Sequence, residues 1–273
     1  MNWLQAILLG LVQGLTEFLP VSSSGHLMIF KTLLGVDGEG FLDFTVTVHM
    51  ATVLSTLIVF WAEIWKLLKG FFKFKYNDET DYILKIVVSM IPVFVVGMFF
   101  KDQVEALFGD SLKTVAICLI VTAVLLFFSD FMTSKKTNTP VIQNNARNGI
   151  SYLQAFLVGL GQGFAVAPGL SRSGTTIATG LIFGVKREVM AQFSFLMVLV
   201  PIIGEQLLDI MDSFGGAVAG PSVGASALIL GFIAAFISGL FACKVMIALV
   251  KKAKLSWFAL YCLVVAVLIF VLS

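Results

Sequence analysis

Glu17, Ser23, His26 and Arg172 are the residues of this chain whose types and setting could do chemistry. Each stands in or beside a short Pro/Gly/Ser break between apolar runs: Glu17 precedes LPVSSSGH, and Arg172 lies inside PGLSRSGTT. A charge at mid-membrane depth costs about 2.5–3.5 kcal/mol on insertion scales, so a retained one is read as functional. A purely structural Glu17–Arg172 ion pair is the plainer reading, but it leaves the surrounding hydroxyls without a role. Ser171 or Ser173 can cap a half-helix beginning near Gly174, and Ser22, Ser23 or Ser24 can cap one beginning near Gly25. Two helix N-termini, a guanidinium fork and several hydroxyls at one spot make a cradle for phosphate, with Thr175 beside it. His26 can exchange protons near neutral pH. Glu17 shares a helix face with Gln13, four residues earlier. Glu17 could orient His26, act as a base, or help to hold a divalent cation. His49 reads as a hydrogen-bonding residue between helices, outside the site.

The elements that must position these residues are duplicated. LQAILLGLVQGLTEFLPVSSSG (Leu4–Gly25) lies over LQAFLVGLGQGFAVAPGLSRSG (Leu153–Gly174) at a constant shift of 149, with eleven of 22 positions identical. The shared residues include Gln5, Gly10, Gln13, Gly14, Ser22, Ser24 and Gly25. The copies differ where chemistry would be done: Glu17 aligns with Val166, Ser23 with Arg172, and His26 with Thr175. One copy offers an acid, a hydroxyl and an imidazole; the other offers a cation. Gly10, Gly14, Gly159 and Gly163 are expected to serve close helix packing.

Composition places the chain in a membrane. Hydrophobic residues make up 59% and charged residues 12%, and mean hydropathy is +1.00, where a soluble domain carries about 25% charged residues. A net charge of +2 gives no electrostatic basis for nucleic-acid binding. Cys118, Cys243 and Cys262 are far apart in apolar runs and read as small hydrophobes. No basic residue precedes the first apolar run, so no cleaved leader is expected.

Six stretches are long enough to span: Phe44–Trp65, Tyr82–Phe100, Thr114–Met132, Met190–Met211, Val223–Leu249 and Trp257–Leu272. Each repeat segment has only short runs around its break and suits a re-entrant helix pair. The expected fold is an all-α membrane protein of six transmembrane helices and two re-entrant helix-loop-helix pairs. A first repeat (1–133), a linker (134–150) and a second repeat (151–273) divide the chain. Three spans follow each pair, so the copies enter from opposite faces as an inverted repeat. This puts fourteen of the 18 Lys and Arg on one side, including Lys66, Lys69, Lys73, Lys75 and Lys85, which flank the first inter-span loop. Lys31, Lys101 and Lys113 lie on the other side, as does the loop Asp212–Ser222, which has no basic residue. The positive-inside rule makes the rich side cytoplasmic and places both termini outside. Trp61, Trp65 and Trp257 sit at span ends as interfacial anchors. Glu205, close to a span end, is left out of the site.

QGLTEFLPVSSSGH (Gln13–His26) and PGLSRSGTT (Pro168–Thr176) resemble the two signature motifs of bacterial undecaprenyl-diphosphate phosphatases of the bacitracin-resistance type. The likeness extends over the chain in length, span count and motif spacing. It implies hydrolysis of undecaprenyl diphosphate to undecaprenyl phosphate and inorganic phosphate in the bacterial plasma membrane. That reaction recycles the carrier lipid for peptidoglycan and cell-wall synthesis and lowers bacitracin sensitivity. By position, the family's functional residues fall on Glu17, Ser23, His26 and Arg172, with Ser22, Ser171 and Ser173 around them. Some members carry a second Glu where this chain has Gln13. The resemblance also suggests a divalent cation, Mg or Ca, bridging substrate oxygens. No organic cofactor is expected, and a homodimer is left open. Ser23 or His26 would attack phosphorus, or His26 would activate water, with Glu17 setting the state of His26. The competing reading is a transporter that flips undecaprenyl phosphate, because broken helices in inverted repeats also build transporters.

Overall fold

In the computed structural model, the apolar runs fold as helices. The structure describes residues 1–36, 40–100, 103, 111–136, 146–165, 167, 169–215 and 223–272, with side chains for all of these but 135–136, 205–215, 251–252 and 272. Val166, Pro168, Lys101, most of the central linker and the tip of the loop after Asp212 lie outside the described residues, as does the side chain of Glu205. The helices are α1 (Trp3–Thr16), α2 (Ser23–Leu33), α3 (Phe41–Val59), α4 (Trp61–Phe71), α5 (Asp78–Phe99) and α6 (Leu112–Lys136). A 3-10 turn (Arg147–Gly149) leads to α7 (Tyr152–Phe164), α8 (Arg172–Ile182), α9 (Arg187–Gly215), α10 (Ala225–Lys252) and α11 (Ser256–Leu272). There is no strand among the described residues.

Five of these helices, α3, α5, α6, α9 and α10, are long and apolar enough to cross a membrane. The expected first span, Phe44–Trp65, is cut at Phe60, whose backbone (φ −97°, ψ 13°) ends α3 and starts α4. The expected sixth span is α11, apolar but only 17 residues long, against the ~20 that cross a bilayer core at right angles. In α4 the rings of Trp61 and Trp65 stack at 6.0 Å and face outward. Lys85 lies within the expected second span. It is buried two turns into α5, where its ammonium donates to Asp81 (2.5 Å) and to the Arg147 carbonyl (2.6 Å). Tyr76, Tyr152 and Asn148 also donate to Asp81, so this buried pair has its hydrogen bonds filled, as burial of charge requires. The three cysteines are buried and free.

The repeated segments fold alike. Asn2 and Ser151 cap α1 and α7, each in a reciprocal bond with the glutamine three residues on. The same two glutamines then reach the far end of the following helix: Gln5 donates to the Leu34 carbonyl and Gln154 to the Phe183 carbonyl, both at 3.0 Å. Each copy is thereby tied into a helix-loop-helix unit, α1–α2 and α7–α8. Each unit leans on the other half of the chain, with α1 against α10 and α7 against α5, while α6 packs on α11.

Glycines set the closeness of these contacts. A Cβ at Gly10 would meet the Gly231 carbonyl, one at Gly14 the Ser238 hydroxyl and the Ala235 carbonyl, and one at Gly159 the Ser89 carbonyl. By contrast, Gly97 in α5 faces open space. Gly159→Ala is therefore expected to lower stability by about 1–3 kcal/mol through overpacking. Gly97→Ala should be neutral or stabilising by up to about 1 kcal/mol. Thermal unfolding of both variants in detergent checks the contrast, and equal melting shifts would contradict the packing account.

Candidate active site

The two breaks meet, and the residues common to both copies hold them together. Ser22 caps α2 by accepting from the Gly25 N–H (3.2 Å), and its repeat partner Ser171 caps α8 by accepting from the Gly174 N–H (3.1 Å). Ser24 accepts from the N–H of Gly169 in the other break (3.3 Å), while its repeat partner Ser173 donates to the carbonyl of Leu19 (3.2 Å). Identical serines thus stitch each loop to the other. The copies differ in backbone, since Ser22 lies at φ 71° and Ser171 at φ −72°. A non-glycine residue held at positive φ is strained, and such strain gathers at functional loops.

A cavity opens between the breaks, with α3 and α9 completing its wall. Glu17, Ser22, Ser23, Ser24, Ser171, Arg172 and Ser173 line it. Gln13, Gly25, His26, Gly174 and Thr175, also expected at the site, do not line it. Gln13 is fully buried and donates to the Glu17 carboxylate (2.7 Å). Thr175 donates to the Ser171 carbonyl (2.8 Å). A Cβ at 25 would sit tightly against Val115 and the Ser22 hydroxyl, and one at 174 against Ser171 and Pro20.

Glu17 is the hub. The Ser23 hydroxyl donates to its Oε2 at 2.5 Å. The Arg172 guanidinium lies 3.7 Å from Oε1, so residues that diverge between the copies face each other across the cavity. A carboxylate that takes a short bond from a hydroxyl can accept its proton, and a guanidinium opposite can hold the oxyanion that the hydroxyl attacks. Apolar side chains flank this polar floor: Phe18, Leu19 and Leu170 from the breaks, Val53 from α3, and Phe195, Val198, Leu199 and Ile202 from α9.

His26 is not brought to Glu17. Its Nδ1 meets the Ser22 carbonyl (2.7 Å), its Nε2 meets the Tyr261 hydroxyl (2.8 Å), and its ring stacks on that tyrosine. A carbonyl can only accept, so Nδ1 carries a proton. The expectation that Glu17 orients His26 is therefore corrected: the tight turn at Ser22 turns the ring toward α11. The imidazole near Glu17 is that of His49, with Nε2 3.8 Å from Oε2. Sequence reasoning set His49 aside and missed Thr52 and Thr56, which line the cavity from the same helix. The signal was present, because Thr45, His49, Thr52 and Thr56 recur at helical spacing along α3, which also carries Asp43, Thr47 and Ser55. Ser194 of α9 lines the cavity too, bonded to Thr176 at 2.6 Å.

Residues 6–268 match the family model described as bacitracin resistance protein BacA. The chain belongs to this family. It is 51% identical over 273 residues to an undecaprenyl-diphosphatase of Bacteroides fragilis, covering 100% of this chain and 99% of that one. It is 53% identical over 262 residues to the undecaprenyl-diphosphatase of Bacteroides thetaiotaomicron, 96% of each chain. A more distant relative of the same name in Methanobrevibacter smithii is 37% identical over 283 residues, with 99% of this chain and 97% of that one covered. A bacitracin resistance family member with five helices long enough to cross a bilayer is a multi-pass membrane protein.

In this family member, the residues around Glu17 do not fit a protein-built metal site. Oε2 already accepts from Gln13 and Ser23 and faces His49, and Oε1 faces Arg172. No group of three His, Cys, Asp or Glu side chains converges among the described residues. A hard divalent cation favours several oxygen ligands, whereas this carboxylate is ringed by donors and a guanidinium.

Proposed function

We propose that this chain hydrolyses undecaprenyl diphosphate to undecaprenyl phosphate and inorganic phosphate in the cavity between the two breaks. The observation that carries the reading is the short Ser23–Glu17 bond opposite Arg172. A hydrolase needs a hydroxyl bonded to a base; a binding cradle does not. The terminal phosphate sits against Arg172 and the N-termini of α2 and α8, whose dipoles favour an anion. Ser23 Oγ bonds to the terminal phosphorus as its proton passes to Glu17. The bridging P–O bond breaks, and its electron pair leaves on undecaprenyl phosphate. Glu17 loses its proton to the departing phosphate; water then attacks the phosphoserine phosphorus as Glu17 takes its proton, the P–Oγ bond breaks with its electron pair on Ser23, and Glu17 returns the proton to Oγ as inorganic phosphate leaves. The first isoprene units lie against Phe18, Val53, Phe195 and Val198. Divalent cations, on this reading, travel with the diphosphate oxygens and are not resident in the protein.

In this proposal the chain forms an inverted repeat in the bacterial plasma membrane, with both termini outside. Two re-entrant pairs, α1–α2 and α7–α8, are each followed by three spans, α11 serving as the last. Three long helices, α3, α5 and α6, separate the pairs, which reverses the direction of entry of the second. The matched caps at 2 and 151 and the loop lysines support this topology. The product re-enters cell-wall synthesis, and loss of the diphosphate removes the target of bacitracin.

The test is phosphate release by purified protein in detergent micelles, where no two sides exist for a transporter to join. Release that depends on Ser23 and Glu17 is expected. No release in micelles, with translocation of undecaprenyl phosphate in vesicles, would replace the hydrolase with a transporter.

A further inference from the structure

We infer that His49 is the imidazole of this active site, acting as a positioning residue whose Nε2 faces the Glu17 carboxylate across a long polar contact. This rests on the hydrolase reading above. His49 lies two turns into α3, on the face that carries Thr52 and Thr56 into the cavity. Its Nδ1 meets the Thr45 carbonyl at 2.9 Å. A carbonyl only accepts, so that contact puts a proton on Nδ1 and leaves Nε2 pointing at Glu17. Nε2 stands 3.8 Å from Glu17 Oε2, beyond direct hydrogen-bond distance, and contacts of this kind tighten when substrate is bound. The ring's other edge is anchored to its own helix, so Nε2 is delivered to a fixed point.

The consequence concerns the orientation of the base. Glu17 Oε2 receives Gln13 and Ser23 and faces His49, whereas Oε1 faces Arg172. Gln13 and His49 together fix the carboxylate plane, so that Oε2 stays on Ser23 when Arg172 turns to the incoming phosphate. Without His49, Glu17 can follow Arg172 and leave the hydroxyl. His26 has no such reach. Both its nitrogens are engaged by Ser22 and Tyr261, and it does not line the cavity. The role assigned to an imidazole from the motif thus passes from the residue within the motif to one 23 positions later.

The variants His49→Leu, His49→Gln and Glu17→Gln are compared in detergent for kcat, KM and thermal unfolding, with undecaprenyl diphosphate as substrate. A contact that closes to a hydrogen bond with a charged group in the substrate complex corresponds to about a 10- to 100-fold effect. His49→Leu is expected to lower kcat by that factor with KM within about twofold. His49→Gln, which restores an N–H donor of similar reach, should recover kcat to within a few fold of the parent. A His49→Leu protein of parental kcat would overturn the assignment. So would His49→Gln as slow as His49→Leu while both melt like the parent, because donation to Glu17 would then not be what matters. If His49→Leu fails to fold, His49→Gln decides alone: parental kcat supports donation, and a loss like that of Glu17→Gln overturns it. Full activity of Glu17→Gln, by contrast, would defeat Glu17 as the base of the proposed hydrolysis and leave His49 without a base to position.

Discussion

Ser23→Ala and Glu17→Gln are each expected to slow phosphate release from undecaprenyl diphosphate by about 10³-fold, and the double variant to be little slower than either alone. The magnitude follows from removing the attacking hydroxyl or the base that takes its proton, effects of about 10²–10⁴. Non-additivity follows from their bond. Ser23 and Glu17 are joined at 2.5 Å and act as one unit, and removing either disables the other. Structural damage should be modest. Ser23 does not cap α2, since the cap is the Ser22 hydroxyl on the Gly25 N–H. Glu17→Gln keeps a side chain of the same shape between Gln13 and Arg172. Single-turnover kinetics on the three proteins, with melting curves alongside, checks this. Losses that multiply in the double variant would show independent roles and discard Ser23 as the group Glu17 serves.

Arg172→Lys is expected to lower kcat by about 10²- to 10³-fold even though it keeps the charge. Removal of one preorganised donor from a developing anion costs that much in other enzymes. Lysine offers a point charge in place of a planar fork that can hold two phosphate oxygens. Geometry adds to the loss. Arg172 is the first residue of α8, on a backbone fixed by the Ser171 cap and the Ser173–Leu19 bond, so a shorter head group cannot be brought closer by the chain. Arg172→Ala is the poorer test, since it leaves Glu17 buried without its facing cation and confounds catalysis with stability. Near-parental turnover by Arg172→Lys would mean that charge alone suffices and that the fork plays no part in binding.

Much of this was legible in the sequence, and for a physical reason. Apolar runs, a 149-residue repeat and charges beside Pro/Gly/Ser breaks are local patterns, and bilayer energetics allows few structures that satisfy them. The shared serines were readable as caps, because a serine before a half-helix has little else to bond. The residues where the copies part could be read as neighbours, and Glu17, Ser23 and Arg172 do line one cavity. The boundary at Phe60 was not readable, because α3 and α4 form one apolar run and the break needs no proline or glycine.

The partner of Glu17 was beyond the sequence as well. Motif adjacency put His26 nine residues from Glu17, but the positive φ at Ser22 turns that ring to Tyr261, a residue 235 positions away. His49 reaches Glu17 only because α3 packs on α1 and α10 with its polar stripe inward. The two identical serines at 22 and 171 also take opposite signs of φ. The sequence by itself determined which residue types carry charge into the membrane and which repeated segments hold them. Tertiary packing decided which imidazole meets the carboxylate, since a side chain's direction depends on the backbone turn beneath it and the helix across from it, and neither is written in local spacing.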